Sequence, residues 1–169
     1  MLIAVLSDIH DNLWQLRRVL EDLRNRSPGA VICCGDFCAP FTLRELGEGC
    51  ACPVHGVFGN NDGDRALLTR TALQLSNTTL YGEVAFLELD GLRVAGNHYP
   101  EIAGPVWASG EFDLVCTGHS HRWEERRRDN RVLLNPGEVL GRFGESTYAL
   151  FDTVTRQVER RSFLWNPLP

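Results

Sequence analysis

The sequence predicts an α/β fold of four layers, α/β/β/α, with two mixed sheets packed face to face and helices outside. Three observations predict it. Short apolar runs recur, each ending in a small residue followed by a metal-competent side chain. Apolar residues at helical spacing fill the gaps between the early runs. From Val84 onward, paired runs joined by tight-turn signals replace the helical spacing.

Each element follows in chain order. Leu2–Leu6 reads as a buried strand, because short β-branched apolar runs suit a sheet covered on both faces; it leads to Ser7 and Asp8. Leu13, Leu16, Leu20 and Leu23 make one helical stripe, with Asn12 or Asp11 as N-cap. Val31–Cys34 leads to Gly35 and Asp36, and Val57-Phe58 to Gly59 and Asn60. Asp64 starts a second helix carrying Leu67, Leu68 and Leu73. This alternation implies right-handed crossovers and a mostly parallel first sheet. Val84–Leu89 and Leu92–Ala95 flank Asp90-Gly91 as a hairpin, and the run through Gly96 leads to Asn97 and His98. Leu114–Thr117 leads to Gly118 and His119. Arg122–Arg128 and Arg131–Leu134 flank the turn Asp129-Asn130, with Arg126-Arg127-Arg128 beside Glu124 and Glu125 as a solvated strand edge. Tyr148–Phe151 and Gln157–Phe163 form a final pair.

A length of 169 residues suits a single domain, residues 1–169, with a core that needs no disulfides. Hydrophobic content of 43% and charged content of 23% are those of a globular chain. The net charge of −5 argues against stable nucleic-acid binding and against anionic membranes. All seventeen basic residues are Arg, which excludes Schiff-base lysine chemistry and a phosphate-loop lysine. The start lacks a signal-peptide pattern and no apolar stretch is long enough to span a membrane, so a cytoplasmic protein with free thiols is expected. Cys33, Cys34 and Cys116 sit in apolar runs as core residues, and Cys50-x-Cys52 lacks the partner pair of a zinc ribbon. His55 reads as structural.

In open α/β sheets, ligands bind beyond the carboxyl ends of the strands. The polar residues that follow the runs therefore converge on one site: Asp8, His10, Asp36, Asn60, His98, His119 and His121. Seven nitrogen and oxygen donors exceed what one tetrahedral zinc needs and suit two divalent ions sharing one carboxylate. Imidazole with oxygen donors fits manganese, iron, zinc or nickel better than an all-oxygen magnesium cage. Crowding of Asp8 and Asp36 should raise the pKa of at least one of them.

The strings Ser7-Asp8-Ile9-His10-Asp11-Asn12, Gly35-Asp36, Gly59-Asn60-Asn61-Asp62 and Gly118-His119-Ser120-His121 resemble those of the calcineurin-like metallophosphoesterase superfamily. Asn135-Pro136-Gly137 followed by Arg142 narrows the likeness to its small bacterial and archaeal phosphodiesterase branch, which also includes the retromer subunit of this fold. The resemblance implies that Asp8, His10 and His121 hold one divalent ion, that Asn60, His98 and His119 hold the other, and that Asp36 bridges them. It implies two ions, manganese first, and a bridging hydroxide attacking phosphorus in line. The expected enzyme is a phosphodiesterase on small or nucleotide-like phosphoesters; the alternatives are a phosphomonoesterase and a non-catalytic protein-interaction scaffold. Homo-oligomers are compatible with it.

Several positions depart from the family pattern. Asn61 stands where many members have a His; it cannot protonate a leaving group but can hydrogen-bond a phosphate oxygen. Asp11 replaces a common Gly, either tuning a ligand His or capping the first helix. Tyr99 and Pro100 follow His98, with Asn97 the alternative ligand. Asn12 is an N-cap or a phosphate contact, and Arg142 contacts phosphate or pairs with Glu145. Tyr99, Trp107 and Trp123 line a pocket or pack in the core, and Asp62 orients the Asn60 loop.

Overall fold

The computed structural model describes residues 1–164, so the last five residues of the expected domain lie outside the described residues. The chain runs β1 (Leu2–Leu6), α1 (Leu13–Arg26), β2 (Ala30–Cys33), α2 (Pro40–Gly49), β3 (Val54–Gly56), α3 (Arg65–Leu73), β4 (Thr78–Leu80), β5 (Val84–Leu89), β6 (Leu92–Asn97), α4 (Pro100–Ala108), β7 (Leu114–Cys116), β8 (Trp123–Arg128), β9 (Arg131–Pro136), β10 (Glu145–Asp152) and β11 (Val158–Leu164). A six-stranded sheet has the order β11-β10-β1-β2-β3-β4, and a five-stranded sheet the order β5-β6-β7-β9-β8. Strands β1 to β4 are mutually parallel, as are β6, β7 and β9; β10, β11, β5 and β8 pair antiparallel at the flanks.

Alternation along each strand builds the four layers, because successive side chains point to opposite faces. Ile3 and Val5 of β1 join Val94, Cys116 and Leu134 in a core between the sheets. Ala4 and Leu6 face the other way, onto Leu16, Leu20, Leu43 and Leu68 of α1 to α3. Ala95, Val115 and Leu133 on the far side of the second sheet meet Ala103 of α4. The expected α/β/β/α sandwich follows.

Local chemistry explains the elements. Asn12 caps α1, its Oδ1 accepting from Gln15 N at 3.2 Å, and Leu16, Val19, Leu20 and Leu23 form the buried stripe. Asp64 caps α3 in the same way through Leu67 N. Asp90 and Gly91 both take positive φ, 53° and 76°, as a two-residue hairpin turn requires. Three elements lie outside the sequence expectation: α2, α4 and β4. Both helices begin with Pro in the first turn, where its missing N–H costs nothing. The third strand also ends earlier than expected, and Val57 and Phe58 belong to the loop beyond it.

Register positions the site. Leu6 pairs with Cys33, Cys33 with Gly56 and Gly56 with Leu80, so the carboxyl ends of the parallel strands stand in one row. Gly96, Cys116 and Leu134 make a matching row in the second sheet. Strand β8 is the expected solvated edge, with Arg126 and Arg127 paired to Glu124 and Glu125. All six cysteines are free; Cys33, Cys34 and Cys116 are fully buried, and Cys50 and Cys52 join no metal-competent cluster among the described residues. No helix among the described residues is long and apolar enough to cross a membrane.

Candidate metal centre

The ligand-bearing loops leave these strand ends by sharp turns. Among the described residues, eleven non-glycine residues have positive φ, and five of them are candidate ligands: Asp8 (55°), His10 (48°), Asp36 (57°), His119 (68°) and His121 (58°). Such backbone persists only where its surroundings over-determine it, and it concentrates at functional sites. Two glycines let the loops close. A Cβ at Gly59 would lie 2.7 Å from Asp36 N and would strike Asp36 Oδ1. One at Gly118 would strike Ser7 Oγ and lie 2.9 Å from Asp8 Oδ2.

Asp8, His10, Asp36 and His121 each offer a ligand atom, and these atoms all lie within 4.8 Å of one another. His121 Nε2 is 3.3 Å from Asp8 Oδ1, and His10 Nε2 is 3.3 Å from Asp36 Oδ2. On the other side of Asp36, His98 Nε2 is 3.5 Å from the same Oδ2. Asn60 Oδ1 lies 2.9 Å from both His98 Nε2 and His119 Nδ1. The structure therefore brings all seven predicted donors together as two groups meeting at Asp36. Asp8, Asp36 and His98 are buried, whereas Asn60 and His119 are exposed, so the cluster opens on one side.

Two imidazoles have fixed orientations. His98 Nδ1 donates to Cys34 O at 2.7 Å, and His121 Nδ1 sits 2.5 Å from Glu138 Oε2. Each ring thus turns its Nε2 lone pair toward the cluster, the way a hydrogen bond at the far ring nitrogen aims a metal-ligating imidazole. The Glu138 hydrogen bond is the largest influence on His121 and holds its pKa above the usual value, against the opposing effect of burial. Burial is also the largest influence on Asp8 and opposes its charge, but contacts with His10, Ser7 and His121 outweigh it and hold the carboxyl below its usual value. The expected rise from carboxylate crowding is therefore not what Asp8 shows, because imidazoles surround it.

The donor set fits divalent cations. Asp8 Oδ1 and His10 Nε2 are buried and have no hydrogen-bond partner. With the His98 ring proton on Nδ1, toward Cys34 O, Nε2 is an acceptor facing another acceptor, Asn60 Oδ1. Orphaned and opposed lone pairs of this kind are costly unless a cation lies between them.

Comparison with known proteins agrees with this geometry. Residues 1–156 match the calcineurin-like phosphoesterase superfamily domain. The chain belongs to this superfamily. A phosphodiesterase of Methanocaldococcus jannaschii is 29% identical over 160 residues, covering 93% of this chain and 96% of that protein. A solved archaeal phosphodiesterase superposes with a TM-score of 0.89 at 27% identity, covering 96% of this chain and 100% of that one. The Vps29 protein of Entamoeba histolytica, solved with zinc, shares the fold at a TM-score of 0.66 and 19% identity, covering 98% of this chain and 100% of that one. The protein is accordingly a hydrolase of the calcineurin-like class.

Around the donors, this phosphoesterase uses its remaining polar residues for bracing. Asn12 has both ends of its amide engaged, by Gln15 N and by Leu140 O at 2.8 Å, and is buried. Asp11 neither caps α1 nor touches a ligand His. Its Oδ1 accepts from Ala39 N at 2.9 Å and Thr42 Oγ1 at 2.5 Å, tying the first loop to the start of α2. Asp62 accepts from Asp36 N, Gly59 N and Cys38 N, which locks the Asp36 and Asn60 loops together. Asn61 donates through Nδ2 to Asp36 Oδ2 at 2.7 Å and keeps a second N–H for solvent. Asn97 is buried and takes no part in these contacts; neither of its side-chain polar atoms is hydrogen-bonded.

Tyr99 reaches the site, its ring 5.1 Å from that of His98 and 5.4 Å from that of His119. Trp107, on α4, packs against the cluster of Ala95, Ala103, Val115 and Leu133, and Trp123 packs against the inter-sheet core. Arg142 is exposed over the Phe143 ring; its expected partner Glu145 pairs with Arg160 instead. His55 bonds Tyr81 Oη at 2.9 Å, away from the cluster. Sequence reasoning missed Glu138, which is buried and also accepts from Phe143 N at 2.8 Å. It missed Cys38 too, whose Sγ lies 3.6 Å from His10 Nδ1 and whose thiol is pushed up to about 12 by burial and nearby carboxylates. Glu138 directly follows the Asn135-Pro136-Gly137 string, which was the available signal.

Proposed function

We propose that the protein is a dinuclear metal-dependent phosphodiesterase acting on small or nucleotide-like phosphoesters. The observation that carries this reading is the position of Asp36, whose Oδ2 lies 3.3 Å from His10 Nε2 and 3.5 Å from His98 Nε2. Asp8, His10 and His121 would hold one ion, Asn60, His98 and His119 the other, and Asp36 both. Two such ions, when bound, activate a water for attack and neutralise charge on the phosphoryl oxygens. The mixed imidazole and carboxylate set favours manganese, with iron, zinc or nickel as substitutes.

The chain's own groups do the rest. Asn61 holds Asp36 in place and presents its free N–H at the open side, where a phosphoryl oxygen can accept it. An amide cannot donate a proton as an acid, so esters with good leaving groups are favoured. That condition suits aryl or nucleotide diesters and disfavours the phosphomonoesterase reading. The similarity to a phosphodiesterase over most of both chains supports the same choice. Six unpaired cysteines support a reducing, cytoplasmic setting.

The test is Asp36→Ala with bis(p-nitrophenyl) phosphate and manganese. Turnover should vanish while the circular dichroism spectrum is retained, and metal analysis of the wild type should give two ions per chain. Full manganese-stimulated activity in the variant would overturn the two-ion reading.

A further inference from the structure

A cleft of about 250 Å³ adjoins the metal centre and shares His121 with it. Its other walls include Arg122, Trp123, Phe143, Glu145 and Arg160. Nothing in the phosphodiesterase chemistry accounts for these walls. Phe143 is 69% exposed at the mouth, edge-on to His121 with ring centroids 6.2 Å apart. Because Phe143 lines the cleft as well as being exposed, its ring is open to a planar ligand seated there.

The charges lining the cleft cancel. Arg160 pairs with Glu145 at 2.8 Å and lies over the Trp123 ring at 5.8 Å. Glu138, also in the lining, is engaged by His121 and by Phe143 N. Arg122 has no ion-pair partner among the described residues, and it is exposed at the rim. The cleft therefore offers two aromatic walls, one open donor and almost no net charge. A second phosphate would find little there, whereas a planar uncharged ring with acceptor atoms matches both the walls and the donor. The volume falls below the roughly 300–1,000 Å³ of sites for drug-sized ligands, so it suits one ring system.

We infer that this cleft is a nucleoside subsite: the base of a phosphodiester lies against Phe143 on the Trp123 side, and Arg122 donates to its ring acceptors. The inference rests on the phosphodiesterase reading and names the ester group that the enzyme retains. Base stacking on an aromatic side chain is sequence-tolerant, and its loss on alanine substitution corresponds to roughly tenfold or more in binding.

The test compares thymidine 5′-(p-nitrophenyl phosphate) with methyl p-nitrophenyl phosphate on the manganese-loaded protein. Both release p-nitrophenolate and differ only in the group retained. The expected ratio of kcat/KM is at least about tenfold in favour of thymidine, carried by KM. Phe143→Ala should collapse that ratio, and so should Arg122→Gln in part. Calorimetric binding of thymidine 5′-monophosphate against methyl phosphate gives a readout free of turnover. Tighter thymidine binding that depends on Phe143, without hydrolysis of either diester, would sink the phosphodiesterase reading and leave the subsite standing. Equal binding of the two phosphates, or a ratio unchanged in Phe143→Ala, would overturn the subsite whatever the turnover.

Discussion

Gly59→Ala is the sharpest probe of how the site is built. The added methyl would sit 2.7 Å from Asp36 N and 2.8 Å from Asp36 Cγ. A rotation of the Asp36 side chain cannot relieve a clash with its own backbone nitrogen. The loop must retreat by about 0.7 Å to reach the 3.4 Å of ordinary contact. That loop carries Asn60, and Asp62 holds it to Asp36 N and Gly59 N at 3.0 and 2.7 Å. Overpacking of this kind costs roughly 1–3 kcal/mol. A displacement approaching 1 Å in a catalytic constellation costs about 100-fold in rate. Urea unfolding in chelator should register the first loss, and manganese titration with diester turnover the second. Gly63→Ala is the control, since its Cβ would meet nothing within 4 Å; it should leave stability within about 0.5 kcal/mol of wild type. Gly59→Ala with wild-type urea midpoint and manganese affinity would refute the claim that contact between these two loops sets the donor geometry.

Four further outcomes are expected. Glu138→Gln should weaken manganese binding by roughly 10–100-fold without unfolding the protein, measured by competition with a chelating dye. In the metal-free protein, the raised His121 pKa means that the Glu138 contact contributes stability below the unfolded histidine value and loses it as pH rises through the folded value. Melting temperatures of wild type and Glu138→Gln should therefore converge above neutrality. Burial is the largest single influence on Asp22 and opposes its charge, but Arg161 and Tyr148 together outweigh it and hold the carboxyl below its usual value. Its contribution is present above the unfolded carboxylate value of about 3.9 and disappears as pH falls through the lower folded value. Asp22→Asn should lower the melting temperature at pH 7, and the difference from wild type should shrink as pH falls below the unfolded carboxylate value. Manganese at 100 times its dissociation constant should stabilise the fold by about 2.7 kcal/mol, read as a shift in melting temperature that Asp36→Ala abolishes.

The clearest donors were legible because each follows a strand and a small residue, a local pattern that survives in one dimension. Asp8, Asp36 and His119 announce themselves in that way. The bracing around them was not. Glu138 meets His121 across seventeen residues and Cys38 meets His10 across twenty-eight, and no periodicity marks such pairs. Asp11 looked like a helix cap because it stands beside Asn12, yet its partners Ala39 and Thr42 arrive from a different helix. That helix, α2, was itself hidden: Gly47 and Gly49 dilute its propensity, as Gly104 and Pro105 do for α4. Strand β4 has three residues, too short for alternation to show.

The rows of strand ends carry a mechanical consequence. Asp8, His10, Asp36 and Asn60 ride on loops of the six-stranded sheet, whereas His98, His119 and His121 follow strands of the five-stranded one. Each proposed ion would take donors from both, so bound metals would act as rivets across a seam. The apolar layer along that seam, with Ile3, Val5, Cys116 and Phe151, fixes how far apart the riveted edges lie. A cavity opened in that layer, well away from the chemistry, would let the sheets slide and would be read at the site as altered ligand spacing. The metal centre is thus a gauge of how tightly the two halves of the sandwich are pressed together.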